Sequence, residues 1–381
     1  MTIDDRLPKY TKVKQVLMDD IHAGKYPVGG LIPSEAALMQ QFGISRFTVR
    51  QALAELVNEG WLRREQGRGT FICPDPGVAK ASTRKTIALL SPAISTYIFP
   101  EIVLGIDEIA QKAGYQVILA HSKNSFRQEA RALTRLKENG VRGVIVEPTK
   151  SALANPNLEL FQSLLEDGIP LVFLDSRLAG IHAPAILLND EEGGYLATKY
   201  LLDLGHKRIG MVYKKVHQPA VNRFQGYKRA LSEAGIEIEP QLIRTFSEAE
   251  YSMPVGYLHT KELLDLGPQR PSAIFYYNDE TAVDGYRAIW EAGLVVPNDL
   301  SVVGFDNSNL GQLQPIRLTS LTHPKQEAGR LAAQLLLRQI EQSEASDNER
   351  NTYNFQPELI IRGSCRAVTG AAELEVRRVE A

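Results

Sequence analysis

Two arginines four residues apart carry the most specific chemistry in this chain. Arg46 and Arg50 are separated by about one helical turn, so in a helix they share one face. Val49, Leu53 and Leu56 recur at three- and four-residue spacing on another face, as a buried stripe requires. A guanidinium can donate two hydrogen bonds to O6 and N7 of guanine. The pattern indicates a helix that presents arginines to DNA, although an ordinary solvated helix face has the same spacing.

A second set of polar residues follows short apolar runs further along the chain. These runs are followed by Glu147, by Asp175 and Arg177, by Asn278, and by Asp306. If the runs are parallel strands, their carboxyl ends line a ligand-binding crevice. Carboxylate, amide and guanidinium groups suit sugar hydroxyls, which both donate and accept hydrogen bonds. The sequence therefore predicts a polar small-molecule cleft, with Asp306 as a turn cap and Glu147 as a loop-shaping residue left as alternatives.

The elements around the arginines predict a winged helix-turn-helix of the α+β class. The expected order is a helix over 13–21, a shorter helix from Ser34, a glycine turn at 42–44, the arginine helix, and strands at 61–64 and 70–72. The two strands form a hairpin wing around 65–69. Residues 1–73 are predicted as one domain. Residues 74–85 have no apolar period and are predicted as a linker.

From Thr86 the chain alternates short apolar strands with helices, which predicts an α/β domain with buried parallel sheets. Strands are expected near 87–90, 116–120, 143–146, 170–174, 208–212, 272–276 and 300–303, and helices near 101–113 and 126–138. The segments 139–146 and 204–212 repeat one order of helix, glycine, basic residue and strand. This repeated pattern favours two similar lobes that face one cleft over a single large sheet. The domain is placed at 86–366, with a tail at 367–381.

Composition restricts the function classes. A formal net charge of -2 over 381 residues means that any DNA contact comes from a local patch. Cys73 and Cys365 match no metal or disulfide spacing and are expected to be incidental thiols. The polar N-terminus and the lack of an apolar run of about 20 residues predict a cytoplasmic protein with no membrane partner. No nucleophile elbow, phosphate loop or metal spacing is found, so neither an enzyme nor a cofactor is expected.

Residues 8–72 resemble the winged-helix module of the GntR family. The resemblance lies in Pro8-Lys9-Tyr10, Pro33-Ser34-Glu35, Phe42-Gly43, Ser45-Arg46, Thr48-Val49-Arg50 and Gly67-x-Gly69-Thr70-Phe71. It implies that Arg46 and Arg50 reach base edges, that Ser34 and Thr48 touch phosphate, and that the wing approaches the minor groove. The predicted DNA-binding set is Ser34, Glu35, Ser45, Arg46, Thr48, Arg50, Gln51, Gly67, Arg68 and Gly69. Acidic residues offset the lysines here, so we expect a homodimer on near-palindromic double-stranded operator DNA.

Residues 86–366 resemble the effector domain of the LacI/GalR family, itself similar to periplasmic sugar-binding proteins. The resemblance lies in Phe99-Pro100, Gly193-Gly194, Arg223-Phe-x-Gly226-Tyr227, Asn278-Asp279-Glu280, Pro297–Asp306 and Leu318–Leu321. It implies that Arg223, Asn278 and Asp306 bind hydroxyls and that Tyr97 or Phe99 packs on a sugar ring. The predicted ligand-binding set is Tyr97, Phe99, Glu147, Asp175, Arg177, Arg223, Asn278, Asp306 and His323.

Several of these residues have alternative roles. Arg223 is also compatible with an interlobe salt bridge, the two aromatics with a core position, and His323 with a hinge. Asp175 and Asp279 suit the orientation of neighbours as well as sugar contact. The acidic run 190–192 is expected only to begin a helix, where acids favour the helix dipole.

The two-part architecture resembles the arabinose-responsive repressors of Gram-positive bacteria, at 97–100, 146–153 and 323–325. This implies a ligand-responsive transcriptional repressor that a small sugar, L-arabinose, releases from its operator; the alternative is another sugar or a purine-type ligand. LacI-type proteins carry a hinge helix that inserts into DNA, but Pro74, Pro76 and Gly77 disfavour one here. We therefore expect operator contact from the winged helix alone.

Overall fold

The computed structural model describes residues 8–65, 68–73, 85–94, 97–247, 254–313, 315–341 and 352–368. The chain divides into two compact units, Met1–Arg84 and Lys85–Ala381. The predicted wing residue Gly67, the linker prolines and the tail beyond residue 368 lie outside the described residues. No described helix is long and apolar enough to cross a membrane.

The first unit is a winged helix-turn-helix, as predicted. Its elements are α1 (Lys9–His22), α2 (Glu35–Phe42), α3 (Arg46–Asn58), β1 (Leu62–Glu65) and β2 (Gly69–Ile72), and the two strands pair antiparallel. Ser34 caps α2 and Ser45 caps α3, because each hydroxyl accepts a backbone N–H of the first helical turn. Gly43 ends α2 at φ 62°, a left-handed conformation that suits glycine.

The second unit contains two parallel sheets, so the two-lobe prediction is confirmed and the single-sheet alternative is wrong. The strands are β3 (Thr86–Ser91), β4 (Gln116–His121), β5 (Val144–Val146), β6 (Leu171–Leu174), β7 (Ala185–Leu188), β8 (Ile209–Lys214), β9 (Ile243–Phe246), β10 (Ala273–Tyr276), β11 (Ser301–Val303), β12 (Ser320–Leu321), β13 (Thr352–Phe355) and β14 (Leu359–Ile360). The first lobe has the strand order β13-β7-β6-β5-β3-β4, and the second has β11-β10-β8-β9. β12 and β14 form a short antiparallel pair.

Helices cover both faces of each sheet. They are α4 (Phe99–Lys112), α5 (Phe126–Glu138), α6 (Leu158–Glu166), α7 (Asp190–Asp203), α8 (Gln218–Glu233), α9 (Val255–Leu264), α10 (Asp279–Glu291), α11 (Asn309–Gln312) and α12 (Lys325–Glu341), with 3₁₀ turns at Pro240–Leu242 and Gly267–Gln269. In β3, Ile87 and Leu89 pack towards α4 and α12, whereas Ala88 and Leu90 pack towards α5 and α6. Burial on both faces explains why the strand is apolar throughout.

The chain crosses between the lobes three times, after β7, before α12 and between β13 and β14. β13 lies beside β7 at the edge of the first sheet, so a segment near the C-terminus completes the N-terminal lobe. Three adjacent crossings place the carboxyl ends of both sheets opposite each other. That is the position where α/β proteins bind ligands.

Candidate functional site

The exposed face of α3 carries the two predicted arginines, and both form ion pairs with Glu35 of α2. The Arg46 Nε donates to Glu35 at 3.1 Å and the Arg50 Nε at 2.9 Å. Arg64 of the wing lies 3.6 Å from the same carboxylate. The arginine side chains remain 64% and 55% exposed. Exposed ion pairs contribute little to stability, so these arginines can exchange Glu35 for nucleic acid at small cost.

The other predicted DNA-binding residues surround this face. Ser34 and Ser45 are helix caps, and the Ser45 hydroxyl also lies 2.9 Å from the Thr48 hydroxyl. Gln51 is half-buried on α3. In the wing, Arg68 donates to Glu65 at 2.7 Å, and Gly69 adopts φ 124° against Leu31. This positive φ favours glycine, whereas the exposed Leu31 side chain, 2.4 Å from where a Cβ would lie, is free to move.

A cavity of about 390 Å³ lies at the carboxyl ends of the strands of both lobes. This volume is within the range of roughly 300–1,000 Å³ that small-molecule sites occupy. Its polar and aromatic lining comprises Tyr97, Phe99, His121, Lys123, Asn124, Glu147, Lys150, Asp175, Asp190, Lys214, His217, Arg223, Tyr277, Asn278, Glu280, Asp306 and His323. Of the nine residues predicted from sequence, eight line this one cavity.

Arg223 is the charged centre of the cavity wall. Its Nε donates to Asp190 at 2.8 Å, and a terminal nitrogen lies 3.3 Å from Asp306. The guanidinium also stacks on the Phe305 ring, 3.4 Å from the ring centroid. All three charged side chains are at most 5% exposed. Burial raises the pKa of Asp190 to about 6, although the Arg223 charge acts in the opposite direction.

Close packing of α7 on α8 fixes this arrangement. A Cβ at Gly194 would lie 2.0 Å from the Arg223 carbonyl oxygen, and one at Gly226 would lie 1.9 Å from the Glu191 carbonyl oxygen. The two helix backbones are therefore in contact, which only glycine permits. As a result, Asp190 at the start of α7 meets Arg223 in the second turn of α8.

Tyr97 of the first lobe reaches the second lobe through its hydroxyl. The hydroxyl donates to the Asp306 carboxylate at 2.6 Å and accepts the Asp279 N–H at 3.1 Å. Phe99 sits in the first-lobe core and also borders the cavity. The alternative of a core aromatic therefore describes Phe99 better than Tyr97. Asp279 itself accepts bonds from Ser320 and Ser308, so it positions neighbours.

Asp175 and His323 form a buried pair next to the interlobe crossings. The His323 Nε2 lies 3.2 Å from Asp175 Oδ1. Burial alone would lower the pKa of His323, but the bond to Asp175 raises it above its ordinary value. Burial also acts to raise the pKa of Asp175, but the same bond lowers it. The contact therefore favours an ionised Asp175 and a protonated His323, and in that state the second ring nitrogen of His323 is a donor.

Glu147 is buried beside Ser91 at the end of β5. The Ser91 hydroxyl lies 2.7 Å from Glu147 Oε2 and 2.6 Å from the Ala93 carbonyl oxygen. One hydroxyl has one hydrogen, so it can donate to only one of these oxygens. Burial and the nearby Asp175 raise the pKa of Glu147 to about 8, which keeps this group protonated at neutral pH. A protonated Glu147 satisfies both contacts.

Strained backbone concentrates around the cavity. Tyr97, Asp175 and Asp306 adopt φ values of 68°, 62° and 92°, which are costly for residues with a side chain. Such strain persists where the surrounding structure overdetermines it, typically at ligand sites.

Comparison with known proteins decides the family. Residues 9–72 match the bacterial regulatory proteins of the gntR family, and residues 198–365 match the periplasmic binding protein-like domain. The arabinose metabolism transcriptional repressor of Geobacillus stearothermophilus is 36% identical over 364 residues, covering 95% of this chain and 99% of the relative. Its counterpart from Halalkalibacterium halodurans is 39% identical, covering 93% and 96%. The chain belongs to the family of arabinose metabolism transcriptional repressors.

The fold of this repressor matches solved LacI-type structures. A LacI family transcriptional regulator from Enterococcus faecium, solved with bound ribose, aligns with a TM-score of 0.63 at 29% identity. The alignment covers 75% of this chain and all of the Enterococcus faecium chain. The predictions of a GntR-type DNA-binding domain, a LacI-type periplasmic-binding-protein-like domain and a transcriptional repressor of sugar metabolism are therefore confirmed.

The structure of this repressor also revises parts of the predicted site. Arg177 lies outside the cavity, because its exposed side chain turns away to the Thr352 hydroxyl. Asp190 does begin a helix as predicted, but it also lines the cavity. Lys214 and His217 were missed, although Lys214 ends β8, His217 follows it, and the same strand-end argument would have found them. Burial lowers the pKa of His217 to about 3, so its ring is neutral.

Proposed function

We propose that this repressor binds near-palindromic double-stranded operator DNA as a homodimer and is released by L-arabinose. The observation that carries the effector assignment is a set of unsatisfied polar atoms. Among the described residues, five buried side-chain polar atoms lack a hydrogen-bond partner, and three belong to the cavity lining. They are His217 Nδ1, His323 Nδ1 and Asp306 Oδ1, of which the last has an ionic contact with Arg223 at 3.3 Å but no hydrogen bond. Leaving such atoms unpaired is costly, so a ligand that donates and accepts is favoured.

The chemistry of these atoms supports a polyol over a purine. Asp306 offers an acceptor and His323, when protonated, offers a donor, and both kinds of group match hydroxyls. Glu147 and Asp175 come from the first lobe, and Arg223 and Asn278 from the second. A sugar between them would join the lobes.

An exposed apolar edge supports the dimer. β4 is the outer strand of the six-stranded sheet, and its Ile118 and Leu119 are 37% and 42% exposed. Leu104 on neighbouring α4 is 60% exposed. Open strand edges with apolar side chains favour pairing with another chain. A second copy meeting this edge would supply two winged helices for two half-sites, and lobe closure would shift their spacing.

Calorimetric titration of the full-length repressor tests the effector. We expect heat of binding with L-arabinose, and none with D-ribose, D-xylose or hypoxanthine. Asp306→Ala should abolish binding, whereas Asp265→Ala, an exposed carboxylate at the end of α9, should leave it unchanged. Silence with L-arabinose and a response to D-ribose or D-xylose would refute L-arabinose as the effector, and a response to hypoxanthine alone would refute a sugar effector; either would leave the repressor architecture intact.

Sedimentation equilibrium of the full-length repressor tests the dimer. Charging the apolar edge with Leu119→Lys should convert a dimer to a monomer and weaken operator binding. An unchanged mass for that variant would refute the interface at β4.

A further inference from the structure

The exposed face of α3 contains one residue that neither the fold nor the assigned contacts use. Phe47 is 77% exposed and takes no part in the hydrophobic core of its unit. A single exposed apolar side chain is ordinary on a protein surface. What distinguishes Phe47 is its position, because it lies in the first turn of α3, next to Arg46 in sequence and one turn before Arg50.

Helix geometry places Phe47 at the centre of the outward face. The buried residues of α3 include Val49, Leu53 and Leu56. Phe47, Arg50 and Ala54 are spaced by three and four residues, so they share one stripe, and all three are exposed. At about 100° per residue this stripe lies opposite the buried one. The helix therefore projects two arginines, an aromatic ring and a methyl-sized residue away from the core.

We propose that Phe47 reads a thymine by contact with its C5-methyl group in the major groove. The groove is wide enough to admit one α-helix, and the thymine methyl is the apolar feature of its base edges. The flanking guanidinium groups supply the charge complementarity that brings this face to DNA. Arg46 or Arg50 then reads guanine by hydrogen bonds while Phe47 adds an apolar determinant beside it. This inference rests on the proposed operator binding.

Removing only the methyl group gives the sharpest test. The full-length repressor first selects its preferred duplexes from a random pool. Each thymine of the selected half-site is then replaced by deoxyuridine, which lacks the methyl group but keeps the base pair. We expect one position per half-site at which this replacement weakens wild-type binding about fourfold, the effect of leaving one methyl group unburied. Replacement in both half-sites should weaken binding about fifteenfold.

Variants at the same position separate this contact from general weakening. Phe47→Ala should bind the selected duplex less tightly and become insensitive to the deoxyuridine replacement, while Phe47→Leu should stay sensitive. Val28→Ala is the matched control, because Val28 is 66% exposed but lies in the turn after α1. Since Phe47 is exposed, the thermal unfolding of these variants should match wild type.

Two results would overturn the inference. One is that no deoxyuridine replacement affects wild-type binding; the other is that each replacement affects wild type and Phe47→Ala equally. Either would leave operator binding itself intact. Failure of the wild-type repressor to select any duplex sequence would instead refute the proposed operator binding and the inference with it.

Discussion

Arginine–carboxylate clusters occur in both units of this repressor, but in opposite environments. Around Glu35 the arginine side chains are 64% and 55% exposed, whereas Arg223 and its two partners are at most 5% exposed. An exposed cluster is weak and can change partners, which suits a surface that must release Glu35 to bind DNA. A buried cluster is costly to disturb and therefore holds one geometry, which suits a preformed ligand site.

The largest expected effect comes from opening the buried cluster. Arg223→Ala should destabilise the second unit by about 3–5 kcal/mol, because Asp190 and Asp306 would lose their shared cation. The matched change Arg229→Ala, on the same helix but with an exposed side chain, should cost less than about 1 kcal/mol. Urea unfolding in a Trp61→Phe background isolates the second unit, because Trp290 is then the remaining tryptophan. Equal losses of unfolding free energy in the two variants would refute the contrast between the buried and exposed arginines.

The exposed cluster should separate DNA binding from stability. Arg50→Ala should weaken binding to the selected duplex by about 1–3 kcal/mol per half-site, since one guanine contact is lost. Sugar binding and the unfolding of the second unit should not change. Anisotropy and calorimetry on the same preparation measure both, with Lys25→Ala, outside α3, as the control. Parallel loss of sugar and DNA binding would argue against independent sites.

The pH dependence of stability tests how burial affects the protonation of Glu147. Its pKa is raised to about 8 in the folded state. Between its ordinary value of 4.5 and about pH 8, the unfolded chain releases this proton while the folded chain retains it. Its contribution to stability therefore falls as the pH rises through that window.

Glu147→Gln should remove this dependence, since an amide imitates the protonated acid. We expect the variant to gain about 3 kcal/mol over wild type at pH 8 relative to pH 5 in the same tryptophan assay. If the difference in free energy of unfolding between wild type and variant does not change with pH, Glu147 is already ionised in the folded state.

The smallest expected effect concerns the bridge between the lobes. Tyr97→Phe removes the hydroxyl that donates to Asp306, leaving a buried carboxylate oxygen without that donor. We expect sugar affinity to fall by about 1 kcal/mol with little change in DNA affinity without sugar. Tyr257→Phe, an exposed tyrosine paired to Glu291, is the control. An unchanged sugar affinity would show that the bridge is incidental.

Prediction from sequence worked where one physical rule applied over a whole element. The helical period of Val49, Leu53 and Leu56 was enough to orient Arg46 and Arg50. Buried strands such as β3 were visible because both faces are apolar. β13 was not predicted, because it is an edge strand whose two central residues, Tyr353 and Asn354, are exposed, and it has no continuous apolar run.

The site was predictable as far as strand ends could be located. Glu147, Asp175 and Asp306 were found this way. Asp190 was assigned only to a helix start, because its pairing with Arg223 depends on the glycine contact between α7 and α8. Arg177 lies outside the cavity, because a strand-end argument does not determine which way the next side chain turns.

We propose that occupancy of the cavity controls the affinity of the α3 face for DNA. The direct measurement is the affinity of the full-length repressor for its selected duplex, by fluorescence anisotropy, without and with saturating L-arabinose. We predict that the sugar weakens binding by about 5- to 150-fold, the range of a typical allosteric coupling. An unchanged affinity, with calorimetry on the same sample showing the cavity occupied, would contradict the account.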